Sequence, residues 1–301
     1  YIVAGMASST DFPTITGSYD ITHNGNYDVF ISKINKSGSN LIFSSYIGGN
    51  STGPWGDGAN CLAINSGGEI ILTGTTASTD FPTVKPIQAF FAGYYDGFVL
   101  KMNSSGSTLL FSTYYGGSYH DGFCSLTVDN SDNIYCAGFT TSPDFPTTSG
   151  SYDRTFNGGT YYGDVFALKI NSNGSSVIYS TYCGGSNEDH ATSINVDENF
   201  CAYLSGGTRS TDFPTTSGAY QKNNNGGMDG FVIKINASGT SLLYSSYIGG
   251  TNDDNAQTSW LLSNNVIFLA GGSSSPNFPT KINSYKPIYG GNRDAFICKM
   301  N

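Results

Sequence analysis

Charge is the scarcest property of this 301-residue chain: Asp, Glu, Lys and Arg make up 12% of it, and only 13 residues are Lys or Arg. With a net charge of −9, it lacks the clustered cations that phosphate backbones and anionic lipid surfaces require, so nucleic acid is not an expected partner. Long apolar runs are missing too: none reaches the roughly 18 to 20 residues of a membrane-spanning helix, and direct membrane insertion is not expected. The chain opens inside an apparent strand, Tyr1-Ile2-Val3-Ala4-Gly5, rather than on the charged, apolar and small-residue succession of a signal peptide. The histidines are only three, His23, His120 and His190, without HExxH or paired spacing, which argues against a zinc hydrolase. A G-x-S-x-G elbow followed by a helix is also absent. The six cysteines (Cys61, Cys124, Cys136, Cys183, Cys201 and Cys298) form no CxxC and read as small buried hydrophobes. Cys124 and Cys136, flanking one hairpin, are the pair placed for a bridge.

What is abundant is glycine and aromatic side chain: 39 Gly, 21 Tyr and 19 Phe, an all-β, turn-rich composition. Asp11-Phe12-Pro13-Thr14 returns at Asp80, Asp144 and Asp212, and once more as Asn277-Phe278-Pro279-Thr280. In phase with it runs Asp-x-Phe-x-x-Lys-[Ile/Met]-Asn, beginning at Asp28, Asp96, Asp164, Asp229 and Asp294. Ser-[Ser/Thr]-Tyr-x-Gly-Gly lies between them, ending at Gly49, Gly117, Gly185 and Gly250. A glycine (Gly5, Gly74, Gly138, Gly206, Gly271) always stands six residues before the Asp or Asn of the first marker. Such phasing implies one rigid unit of roughly 65 residues copied about five times.

Each unit reads as four short strands separated by Gly, Asn and Ser turns; in the third copy these are Phe123 to Asp129, Asn133 to Thr140, Asp164 to Ile170 and Ser176 to Cys183. Four antiparallel strands at this period predict a β-propeller of radial blades, since a small sheet buries its faces only against the next copy. Complete blades are expected near 59–117, 122–185 and 190–250, with partial ones at 1–49 and 256–301. Ragged ends of this kind suggest a longer multidomain chain, or closure by strands outside the sequence. The small, polar strand starting near Ala59, Phe123, Ala191 and Ala256 is expected innermost.

Together these motifs resemble the bacterial SBBP repeat, a propeller repeat named for seven blades, over nearly the whole chain. Asn277 in place of Asp, and Ile87-Gln88-Ala89-Phe90 where other copies carry Gly and Tyr, depart from the pattern. The resemblance implies a secreted or cell-surface protein and supplies no catalytic residue.

Asp57, Asp121, Asp189 and Asp254 follow the Gly-Gly loop in register, Glu188 and Asp253 standing beside two of them. Carboxylates on flexible loops are what calcium would select; the alternative is that each accepts loop amides and fixes the start of the first strand. No other cofactor is implied. The Asp of Asp-Phe-Pro-Thr is expected to cap its own turn, and Phe12, Phe81, Phe145, Phe213 and Phe278 to plug gaps between blades. Lys33, Lys101, Lys169, Lys234 and Lys299 could form a charged ring for an anionic ligand, but are read as solvated third-strand lysines that can pair with a neighbouring Asp. The sequons at Asn35, Asn103, Asn173 and Asn236 coincide with hairpin turns.

Uniform positions build scaffold, so ligand contacts are expected where the copies differ: Trp55, His120, His190, Arg209 and Trp260. The expected function is a non-catalytic binding, adhesion or spacer module contacting protein or glycan at the cell surface. The alternatives are a carbohydrate-active hydrolase, which needs two facing carboxylates, and a calcium-stabilised surface module.

Overall fold

The computed structural model describes residues 1–53, 56–262 and 265–301, and among these every regular element is a β-strand. The first sheet holds β1 (Ile2–Ala7), β2 (Asp28–Ile34) and β3 (Leu41–Ile47). The second holds β4 (Gly58–Ile64), β5 (Ile70–Thr76), β6 (Asp96–Met102) and β7 (Leu109–Tyr115), and the third β8 (Asp121–Val128), β9 (Ile134–Thr140), β10 (Asp164–Ile170) and β11 (Val177–Tyr182). In the fourth are β12 (Asp189–Val196), β13 (Ala202–Thr208), β14 (Asp229–Ile235) and β15 (Leu242–Ile248), and in the fifth β16 (Asp254–Leu261), β17 (Ile267–Ser273) and β18 (Asp294–Met300). Strands neighbour one another in chain order within every sheet. The three central sheets thus have four strands and the two terminal ones three. The third-copy strands lie within two residues of the bounds expected from sequence.

The chain divides into two compact units: Tyr1–Ile134 with Ser142–Pro146 and Ile170–Val177, and Tyr135–Thr141 with Thr147–Lys169 and Ile178–Asn301. In the first, Val29, Ile31, Leu72, Phe98 and Leu100 anchor the core. In the second, Ala137, Val165, Leu204, Phe231 and Ile233 do so. Asp96–Met102 and Asp164–Ile170 are buried at every position, which is why their sequence runs largely apolar on both faces.

First strands carry a bulge, between Ala59 and Cys61, Ala191 and Ser193, and Asn255 and Thr258. The bulge swings a carbonyl toward the second strand, and a Cβ on Gly74, Gly206 or Gly271 would overlap that of Gly58, His190 or Asn255. One of the sequence's fixed glycines is thereby explained. Within each unit, first strands of successive sheets face one another: Asn60 Nδ2 donates to Phe123 O at 2.9 Å, and Asn195 Nδ2 to Ser259 Oγ at 2.9 Å.

The Asp-Phe-Pro-Thr loop is pinned by the fourth-strand tyrosine, whose hydroxyl donates to a loop carbonyl: Tyr46 to Ser9 at 2.6 Å, Tyr114 to Ser78 at 2.8 Å, Tyr247 to Ser210 at 2.7 Å. Phe12, Phe81, Phe213 and Phe278 lie on the third-strand Phe of their own sheet, with centroids 4.5 to 4.8 Å apart. Phe145 also meets Tyr115 of the preceding sheet (5.4 Å), and Phe81 and Phe213 belong to core clusters that include preceding-sheet residues, Val29 and Ile31 for the one and Tyr135 and Ala137 for the other. The loop Asp serves beyond its own turn. It reaches back to the residue after the preceding Gly-Gly: Asp80 accepts Asn50 N, Asp144 Ser118 N, Asp212 Ser186 N, each at 2.8 Å. Asn277 does the same for Thr251 (2.9 Å), so the position needs an acceptor and not a charge.

The lysines are also tied down. Lys101, buried, pairs with Glu69 at 2.8 Å and donates to Ser172 O in the following hairpin; Lys234 pairs with Asp197 at 3.0 Å beneath the Tyr203 ring. At the hairpin turns Asn35, Asn103, Asn171 and Asn236 accept the amide four residues on, at 2.8 to 3.0 Å. All six cysteines are free, so Cys124 and Cys136 form no bridge.

Candidate functional site

Two classes of residue meet where one sheet hands the chain to the next. The repeated class is carboxylic. Asp57 Oδ2 accepts Gly49 N (2.7 Å) and Ser78 Oγ (2.8 Å), and its Oδ1 accepts Thr76 Oγ1 (2.5 Å). Asp189 accepts Gly185 N and Ser210 Oγ, Asp254 accepts Gly250 N and Ser275 Oγ, and Asp121 accepts Gly117 N and Ser142 Oγ. All four are buried. Each fixes a Gly-Gly turn against the following first strand.

A second carboxylate, the first residue of the third strand, closes on the same turn from the other side: Asp28, Asp96, Asp164 and Asp229 accept Asn24, Ala92, Asn157 and Asn225 amides at 2.8 to 2.9 Å. Between the two there is no room for a side chain. A Cβ on Gly116 would stand 2.6 Å from Asp121 Oδ2 and 2.9 Å from Asp96 Oδ1. Burial pushes Asp57, Asp96, Asp189 and Asp229 up to about 6, and Asp164, with the Asp189 and Asp153 charges added, to about 8. Oδ1 of Asp164, Asp189, Asp229 and Asp254 has no hydrogen-bond partner. Calcium asks for six to eight oxygens, and no group of three or more His, Cys, Asp or Glu among the described residues is placed to hold a metal ion.

The second class differs from copy to copy. Beside each Gly-Gly turn, the loop before the third strand is zipped by backbone hydrogen bonds to the loop before the next first strand. In the second copy Tyr94 N donates to Tyr119 O (2.9 Å) and Asp121 N to Tyr95 O (3.0 Å). Asn26 and Asp57 repeat this with Ser51 O and Tyr27 O, and Asp254 N donates to Met228 O. A constant backbone thus presents Asn-Tyr, Tyr-Tyr or Gly-Met.

At the Tyr-Tyr copy, in the first unit, the presented side chains border an open cleft of about 630 Å³, lined among the described residues by Asn50, Thr52, Thr79, Asp80, Tyr94, Tyr95 and His120, with small residues completing it. His120 stacks between the two rings, 5.2 Å from Tyr94 at 28° and 4.3 Å from Tyr95. Burial depresses its pKa, which favours the neutral imidazole. Tyr94 is 67% exposed and Tyr119, 6.3 Å away, 49%. Asp80 is engaged by Asn50, whose Nδ2 donates to Oδ2 at 2.7 Å.

Of the sequence-predicted ligand residues, His120 lies in this cleft and Trp55 falls outside the described residues. His190 is half-buried and braced: its ring packs on Tyr162 (4.7 Å), Nε2 meets Asn255 Nδ2 at 3.3 Å, and burial, aided by Arg209, depresses its pKa to about 4. Arg209 is held by Asp253 through two contacts of 3.2 Å. Trp260 stands 69% exposed on β16. Sequence reading missed Tyr94, Tyr95 and Tyr119. Their signal was a Tyr-Tyr pair directly before Asp96, where the first copy has Asn26-Tyr27 and the fourth Gly227-Met228.

No protein-family model matches the chain, and no curated protein matches it in sequence. Among solved structures, a protein of unknown function from Dyadobacter fermentans DSM 18053 is similar with a TM-score of 0.45 and 14% identity, over 85% of this chain and 67% of that one.

Proposed function

We propose that the five sheets are blades of one β-propeller spanning residues 1–301, of the SBBP-like kind, and that it serves outside the cell or at its surface as a non-catalytic binding module. The observation that carries the reading is the division of labour at the blade junctions. Repeated residues are consumed in holding the Gly-Gly turns, while copy-specific side chains on backbone-zipped loops reach solvent, as Tyr94 and Tyr119 do. Rigid loops that vary in side chain but not in backbone suit recognition, because little conformational freedom is lost on binding. A glycosidase needs two carboxyl groups across an accessible cleft. The junction carboxyl pairs are buried beneath glycines, and Asp80 is the sole acid lining the cleft among the described residues.

The test is an array of surface polysaccharides and extracellular proteins probed with the chain and with a Tyr94→Ala/His120→Ala variant. Retention that the variant loses, and that an Arg209→Ala variant keeps, supports the reading; cleavage of any retained polymer overturns it.

A further inference from the structure

We infer that the cleft beside Tyr94 is a saccharide subsite, in which a neutral pyranose lays its C–H face on the Tyr94 ring and turns its hydroxyls toward Asn50, Thr52, Thr79 and Asp80. The inference rests on the binding-module reading and names its ligand class. A pyranose has an apolar face and a rim of hydroxyls that both donate and accept, and a matching site needs an exposed ring set at an angle to amide, hydroxyl and carboxylate groups. The cleft has this composition. Its polar wall comes from the Gly-Gly turn of the first sheet and the Asp-Phe-Pro-Thr loop of the second, with Asn50, Thr52, Thr79 and Asp80 all exposed. Its aromatic wall comes from the loop before β6.

The ring is held before any ligand arrives. Tyr94 is anchored through its own amide to Tyr119 O, and one face is backed by His120 at 5.2 Å. A Cβ on Gly93 would overlap Tyr119 O, so the close approach of the two loops depends on that glycine. A preset ring spares the ligand the cost of ordering it.

Charge narrows the class. No Lys or Arg lines the cleft among the described residues, and the acid present is Asp80. Phosphorylated, sulfated and uronic sugars therefore find no counter-charge, whereas a neutral sugar can donate a hydroxyl to the carboxylate. The later junctions carry more charge, even where Tyr161 is exposed beside Tyr162 and His190. At the corresponding place in the second unit Glu188 accepts the amides of Thr160, Tyr161 and Tyr162, and further along Arg209 and Asp253 neutralise one another.

The experiment titrates the full chain, by calorimetry and saturation-transfer NMR, with four soluble neutral hexasaccharides built from β-linked glucose, N-acetylglucosamine, xylose or mannose. At least one binds, with contacts to tyrosine protons. Tyr94→Ala weakens it by about tenfold or more, Tyr94→Phe by no more than about threefold, and Tyr220→Ala, which removes an exposed tyrosine elsewhere, leaves it unchanged. Tyr94 is exposed enough that its removal spares the core. Saccharide binding that survives Tyr94→Ala overturns the assignment of the site. If no saccharide binds, but a peptide selected from a displayed library does and is lost in Tyr94→Ala, the saccharide inference falls and the binding-module reading stands. If neither binds, both fall.

Discussion

Replacing Asp164 by Asn tests the chemistry beneath the Gly-Gly turns. Asp164 is fully buried at the start of β10, its Oδ2 accepts Asn157 N at 2.8 Å, its Oδ1 has no donor, and the neighbours that act on it electrostatically, Asp189 and Asp153, are both acids. Desolvation and then those charges raise its pKa from 3.8 to about 8. The folded state therefore holds a proton that the unfolded chain releases, so stability falls as pH rises from the unfolded value toward the folded one. At pH 7 the carboxyl lies about three pH units above its unfolded pKa, and at 1.36 kcal/mol per unit this one residue removes about 4 kcal/mol relative to pH 3. Asn keeps the Oδ1 acceptor for Asn157, after an amide flip that places Nδ2 where the orphaned oxygen stood, and carries no titrating proton. Urea unfolding at pH 5, 7 and 9 is expected to show the variant more stable than the parent by about 2 to 4 kcal/mol at pH 7 to 9, with the gap narrowing at pH 5. Equal pH slopes for the two proteins, or a variant less stable at pH 9, would refute the buried, proton-holding assignment.

Other expectations follow from the same junctions. Gly116→Ala drives a methyl between Asp96 and Asp121 and should cost about 2 kcal/mol or more in chemical unfolding, whereas Gly218→Ala, with open space around its Cβ position, should change stability by less than about 0.5 kcal/mol. Asp212→Asn, which copies the natural Asn277, should be tolerated within about 0.5 kcal/mol, and Asp212→Ala, which abandons the Ser186 amide, should cost about 1 to 2 kcal/mol. A chelator is expected to leave the melting temperature within about 1 °C; a drop of about 5 °C or more would support the calcium reading.

The strands were legible because their determinants repeat. Apolar runs, Asn-x-x-Gly turns and fixed-spacing glycines each recur in register, and a single misreading would have broken the phase. Partners across space were not. Nothing in Asp-Phe-Pro-Thr says that the Asp reaches beyond its own turn to the preceding Gly-Gly turn, since both roles need only an acceptor at that position; the Asn277 substitution was the available hint. The lysines show the opposite limit: a strand position argues for solvent, but Lys101 ends against Glu69 and a carbonyl of the following hairpin, a contact set by how neighbouring sheets pack and not by the strand's own pattern. The cleft was the least legible part. His120 could be singled out because histidine is rare here, while Tyr94 is one of 21 tyrosines and acquires significance only through the backbone zip that sets it beside Tyr119. Repetition thus reveals the scaffold and hides what is mounted on it. A single-copy residue has no period to announce it, so its role depends on which loops the constant hydrogen bonds bring together, and at the second junction they bring together an exposed ring, an imidazole and a polar wall.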